Sequence, residues 1–156
     1  MTNPLEAGDQ APQFALPATK GGTATLGEYA GKFLILFFYP KDDTEGCTRE
    51  AVAFSGMQSR FTRRKAALLG VSKDSLDDHR AFTAKHKLTV RLGSDKDGAA
   101  CKAYGVWQMK TLYGRKFMGI VRSTFLIGPD GRIKKIWEKV KPSAHSKEIL
   151  EELRTA

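Results

Sequence analysis

The chain has 156 residues, a formal net charge of +9 and two cysteines. That length suits one domain, residues 1–156, with a core that needs neither disulfides nor metal ions, and the composition excludes a disulfide framework and a membrane span. Two cysteines point to a reducing compartment; Met1-Thr2-Asn3-Pro4-Leu5-Glu6 lacks the basic flank and apolar run of a signal peptide, so a cytoplasmic location is expected.

Gly8 to Leu16 reads as a leading loop and a short edge strand, limited by Pro12 and Pro17. Gly21-Gly22 marks a turn before Thr23-Ala24-Thr25, giving an N-terminal hairpin, and Leu26 to Ala30 a short helix that Gly31 ends. Phe33 to Tyr39 is apolar throughout, too short for a buried helix, and reads as a central strand covered on both faces. Pro40 stops it, and Lys41 to Gly46 has loop chemistry. A helix then runs to about Lys65, with Val52, Phe54, Met57 and Phe61 on its apolar face.

Ala67 to Val71 is a second buried strand, and Ser75-Leu76-Asp77-Asp78 a capping start for a helix carrying Leu76, Phe82 and Leu88 inward. Val90-Arg91-Leu92 is a brief strand, followed by a polar turn and a short helix with Cys101. Gly105 to Gly119 reads as a loop placed to lie over the site. Ser123 to Ile127, Pro129-Asp130-Gly131-Arg132 and Ile133 to Trp137 form a hairpin. Pro142 and Ser143 open a last helix with Ile149, Leu150 and Leu153 on its apolar stripe. Alternating strands and helices predict an α/β fold with a mostly parallel sheet.

Cys47 falls in the first turn of a helix that leaves the end of the central strand. Free N–H groups and the positive end of the helix dipole favour a thiolate there. Thr44 is placed to cap the helix or to donate to the sulfur. A lone cysteine otherwise serves as a small buried apolar residue, but the polar neighbours Asp42, Asp43, Thr44, Glu45, Thr48 and Arg49 suit an accessible reactive thiol better.

The spacing Pro40-x-x-x-Thr44-x-x-Cys47 resembles the peroxidatic motif of the peroxiredoxins. Tyr39-Pro40-Lys41-Asp42 with Gly46-Cys47-Thr48-Arg49-Glu50-Ala51 is similar to the branch called bacterioferritin comigratory protein or peroxiredoxin Q. The likeness continues through Tyr104-Gly105-Val106-Trp107, Tyr113 to Ile120 and Arg122-Ser123-Thr124-Phe125-Leu126-Ile127, and covers nearly the whole chain.

The resemblance implies a thioredoxin-like fold, a central mixed sheet flanked by helices with an N-terminal hairpin extension. It implies a thiol peroxidase for hydrogen peroxide and organic hydroperoxides, with Cys47 as nucleophile, Arg122 as the main donor to thiolate and peroxide, Thr44 holding a peroxide oxygen and Pro40 shielding the sulfur. Glu50, one turn beyond Cys47, is placed to orient Arg122. The positions where relatives carry a second cysteine hold Val52 or fall on a cysteine-free helix, Ser75 to Lys87. Cys101 reads first as a packing residue and second as a resolving thiol. A one-cysteine cycle is therefore expected, with thioredoxin, glutaredoxin or a small thiol as reductant. The ending Glu151 to Ala156 lacks the Tyr-Phe extension of ring-forming members, so a monomer or weak dimer is expected.

Competing readings remain at this stage. A thiol–disulfide oxidoreductase would use Cys-x-x-Cys, but Thr44 fills the first place. A basic binding module would use Arg60, Arg63, Arg64 and Lys65 with Arg132, Lys134, Lys135, Lys139 and Lys141, yet no nucleic-acid signature accompanies them, so nucleic acid is not expected as a partner. His79, His86 and His145 have no nearby cysteine or carboxylate cluster at ligand spacing, so no metal is expected, and without a Gly-rich phosphate loop no nucleotide cofactor is either.

Overall fold

The computed structural model describes residues 4–141 and 145–155. Ala15–Pro17 (β1) and Thr23–Thr25 (β2) pair antiparallel as the expected N-terminal hairpin, and Leu26–Tyr29 forms one 3₁₀ turn. The central strand, Phe33–Phe38 (β3), lies mid-sheet between parallel Ala66–Ser72 (β4) and antiparallel Ser123–Ile127 (β8). Arg91–Ser94 (β5) extends the parallel side and Ile133–Glu138 (β9) the antiparallel side, giving the order β5-β4-β3-β8-β9. The sheet is mixed, two parallel and two antiparallel pairings, because the late hairpin adds to the edge that the βα units leave open.

The helices are Glu45–Arg63 (α1), Leu76–His86 (α2), Ala99–Ala103 (α3) and His145–Thr155 (α4). Pro142 and Ser143, expected to open α4, lie outside the described residues. Ser75 caps α2, its Oγ accepting from the Asp78 N–H at 3.1 Å. Val52 is exposed on α1 while Phe54 and Phe61 are fully buried, so the apolar face is narrower than its spacing suggested.

Side chains alternate across β3 and divide the core in two. Leu34, Leu36 and Phe38 pack with Cys101, Tyr104 and Phe125; Ile35, Phe37 and Tyr39 pack with Cys47, Phe54, Phe82 and Ile149. On the second face Phe37 stacks on Phe54 with ring centroids 4.5 Å apart. Gly70, beside Phe37 in β4, makes room for that ring: a Cβ there would sit 2.6 Å from Phe37 Cζ.

The stretch Gly105 to Gly119 is not a loop. Trp107–Leu112 (β6) and Arg115–Ile120 (β7) pair antiparallel through Tyr113-Gly114, both at positive φ, 51° and 77°, as a two-residue turn matching strand twist requires. The strand pattern is inverted here: Gln108 is buried while Met109, Leu112 and Phe117 are exposed, so no inward apolar period marks the hairpin.

Candidate active site

The site is built where β3 ends. Tyr39 continues the strand, its N–H bonded to the Val71 carbonyl, and Pro40 then carries no donor to extend the ladder. Thr44 occupies the N-cap position of α1 with extended backbone, and its carbonyl accepts from the Thr48 N–H at 2.8 Å. Its hydroxyl makes neither a capping bond nor a bond to sulfur; it donates to the Lys41 carbonyl at 3.0 Å. Glu45, Gly46 and Cys47 are thus the first three helical residues, whose N–H groups have no partner within the helix.

Cys47 is only 2 % exposed, deeper than its polar neighbours suggested: Asp43, Thr44, Glu45 and Arg49 are exposed, while the sulfur packs with the core on one face of the sheet. The strand register explains what it meets there. Ser123 pairs with Phe38, so Arg122, one residue earlier, falls beside the point where β3 releases the cysteine loop. Arg122 Nη2 donates to Cys47 Sγ at 3.0 Å, and Nη1 donates to Glu50 Oε1 at 2.9 Å. Burial works against the guanidinium charge, but Glu50 and the Cys47 sulfur outweigh it and raise its pKa above the usual value. Burial pushes the Glu50 carboxyl up to about 7, with Arg122 offsetting part of the effect. Glu50 Oε2 is buried without a hydrogen-bond partner among the described residues. Pro40 and Thr44 are both exposed.

A second cluster clamps the cysteine loop from below. Asp42 accepts from the Tyr39 hydroxyl at 2.6 Å and pairs with His79 Nδ1 at 2.6 Å; His79 Nε2 lies 2.9 Å from the Gly93 carbonyl. Both ring nitrogens of His79 therefore face acceptors. The Asp42 N–H donates to Asp74, which also accepts from the Ser72 hydroxyl. Asp43 meets Lys85 and His86 on α2, and those two contacts, His86 foremost, lower its pKa. The histidines each contact one carboxylate: His79, His86 and His145 at 2.6, 2.8 and 2.8 Å. Sequence spacing missed these pairs because two of them join residues about forty positions apart. Ligand-type atoms of Asp42, Asp74 and His79 lie within 4.8 Å of one another, and each of these side chains is already engaged in the network.

Cys101 is fully buried in the core on the other face of the sheet, where burial and the Asp95 carboxylate raise its thiol pKa far above the usual value. Sequence reasoning also missed Lys110. Its ammonium donates to the Ile120 carbonyl at 2.9 Å and interacts electrostatically with Arg122 and Cys47.

The sequence profile of the AhpC/TSA family matches residues 7–136. The chain belongs to that family. It is 42 % identical over 150 residues to peroxiredoxin Bcp of Bacillus subtilis, covering 96 % of each chain. Among solved structures it is similar to PrxQ of Xylella fastidiosa, with TM-score 0.91, 39 % identity and 97 % and 96 % of the two chains covered. The bacterioferritin comigratory protein of Xanthomonas campestris, described for alkyl peroxide reduction, gives TM-score 0.86 at 39 % identity, over 91 % of this chain and 90 % of that one. The thioredoxin-like fold and the likeness to the Bcp/PrxQ branch are both borne out. Among the described residues no helix is long and apolar enough to cross a membrane.

Proposed function

We propose that this chain is a thiol-dependent peroxidase in which Cys47 attacks the peroxide. The single observation that carries the assignment of the nucleophile is the 3.0 Å contact between Arg122 Nη2 and Cys47 Sγ at the first turn of α1. The Cys47 thiolate displaces on the O–O bond: the sulfur takes the terminal oxygen as sulfenic acid, and the leaving alkoxide or hydroxide takes a proton to become alcohol or water. Negative charge moves from sulfur to the leaving oxygen, so donors must be aimed along that path in advance. Arg122 supplies its Nη2 donor, held in place by the Nη1 bond to Glu50, and the free N–H groups of the first turn supply more. Thr44 donates its proton to Lys41, which leaves its hydroxyl oxygen free to accept from the peroxide O–H. Pro40 screens the sulfur on the solvent side.

Hydrogen peroxide and organic hydroperoxides are the substrates, in keeping with the alkyl peroxide reduction described for the Xanthomonas campestris relative. Regeneration uses an external thiol, thioredoxin, glutaredoxin or a small thiol, in a one-cysteine cycle. This rests on Cys101 lying across the sheet from Cys47. The protein works in the cytoplasm as a monomer or weak dimer. Peroxide consumption with each reductant, in wild type and Cys47→Ser, tests the reading: Cys47→Ser should be inactive, and retained turnover would reject it.

A further inference from the structure

Two acids compete for one guanidinium at this site. Arg122 donates to both Cys47 and Glu50, so whenever Glu50 is ionised its charge is shared between carboxylate and sulfur. A buried group with more negative than positive charge is unfavourable unless another cation stands close.

Lys110 reaches toward the Arg122 corner from the neighbouring hairpin. It sits on β6 opposite Phe117, and its stem crosses β7 at Gly119, where a Cβ would come 3.0 Å from Lys110 Cδ. The glycine leaves the space that the stem occupies. The ammonium is tied to the carbonyl of Ile120, two residues before Arg122, so the hairpin carries it to the same corner of the molecule as the guanidinium. We propose that Lys110 is a positioning residue of the peroxidase reaction, placing a second positive charge at the corner where Arg122 meets the Cys47 sulfur, so that it favours the negative charge that passes from sulfur to the leaving oxygen. The proposal deepens the peroxidase reading and rests on it.

Burial, and then the like charge of Arg122, lowers the Lys110 pKa, while the Cys47 sulfur works in the opposite direction. Arg122, just before β8, and Lys110 from β6 act on the sulfur, while Glu50 of α1 and His145 of α4 act on Arg122. Lys110 differs from Arg122 in giving its hydrogen bond to the backbone; its influence on the sulfur is through the electric field. That field should act on the reaction at every stage in which sulfur is negative, and it should weaken at high salt less than a surface charge would, since Lys110 is half-buried.

Lys110→Met keeps the stem and removes the charge, and Lys110→Arg restores a charge. The pH dependence of Cys47 alkylation by iodoacetamide and the second-order rate with peroxide are measured for wild type, both variants and Cys47→Ser. In Lys110→Met peroxide reduction should slow roughly threefold to tenfold near neutral pH, and Cys47 alkylation should slow with it. Lys110→Arg should recover most of both. A Lys110→Met profile that superposes on wild type overturns the proposal, as does an equal loss in both variants, which would mark a role in holding the hairpin alone. Activity remaining in Cys47→Ser would instead defeat the peroxidase reading itself, so the two failures are distinguishable.

Discussion

Arg122 and Cys47 stand 75 residues apart in the chain, and the guanidinium of one donates to the sulfur of the other across 3.0 Å. The contact exists because β8 runs antiparallel to β3 and begins, with Ser123 opposite Phe38, where β3 releases the loop that delivers Cys47. Replacing Arg122 by Met removes a preorganised donor from the path of the moving charge, and the peroxide rate should fall about 10²- to 10³-fold. Arg122→Lys keeps a charge but not the fork that serves sulfur and carboxylate together, so an intermediate rate is expected. Stopped-flow peroxide reduction measures both; wild-type rates in Arg122→Met would remove Arg122 from the mechanism.

Glu50 makes stability depend on pH. Its carboxyl titrates near 4.5 when exposed and near 7 in the folded protein, so between those values the folded state holds a proton that the unfolded chain has released. The contribution is fully present below about 4.5 and is lost as the pH rises through 7. The difference amounts to about 3 kcal/mol. His145, whose pKa burial lowers below 6.5, acts in the opposite sense, with stability lost as the pH falls. Urea midpoints of wild type and Glu50→Gln at pH 5 and 8 separate the two. The Gln variant should lack the Glu50 component while keeping that of His145; identical pH dependence in both proteins would contradict the assignment.

Cys101 should not trap the sulfenic acid. The two sulfurs belong to cores on opposite faces of the sheet, and a disulfide requires Cα atoms within about 7 Å. One equivalent of peroxide should consume one thiol, Cys101→Ala should retain turnover with an external thiol, and mass spectrometry should find no intramolecular disulfide. Loss of both thiols in a monomeric species would reverse this conclusion.

The Asp42–His79 pair holds the cysteine loop to α2, with His79 fully buried and Asp42 nearly so. His79→Ala leaves the buried Asp42 carboxylate with the Tyr39 hydroxyl but without the imidazole, at a cost of about 3–5 kcal/mol. For a chain of this size that lowers Tm by roughly 6–20 °C. Calorimetry gives the shift, and a change under 2 °C or so would mean that the pair adds little.

The sequence by itself determined the central strand, the proline that ends it, the helix carrying Cys47 and the late hairpin, because each rests on local signals: an unbroken apolar run, a missing donor, a capping position, a tight turn. The motif around Pro40, Thr44 and Cys47 lies within eight residues and was legible for the same reason. Only tertiary structure decided the partners of the sulfur and the clamp beneath it. The Asp42–His79 contact joins residues 37 apart and the Arg122–Cys47 contact residues 75 apart, and neither leaves a periodic trace. Strand β6 stayed hidden because it turns a polar residue inward and leaves apolar ones in solvent, so Lys110 was invisible until the hairpin had been folded against the site.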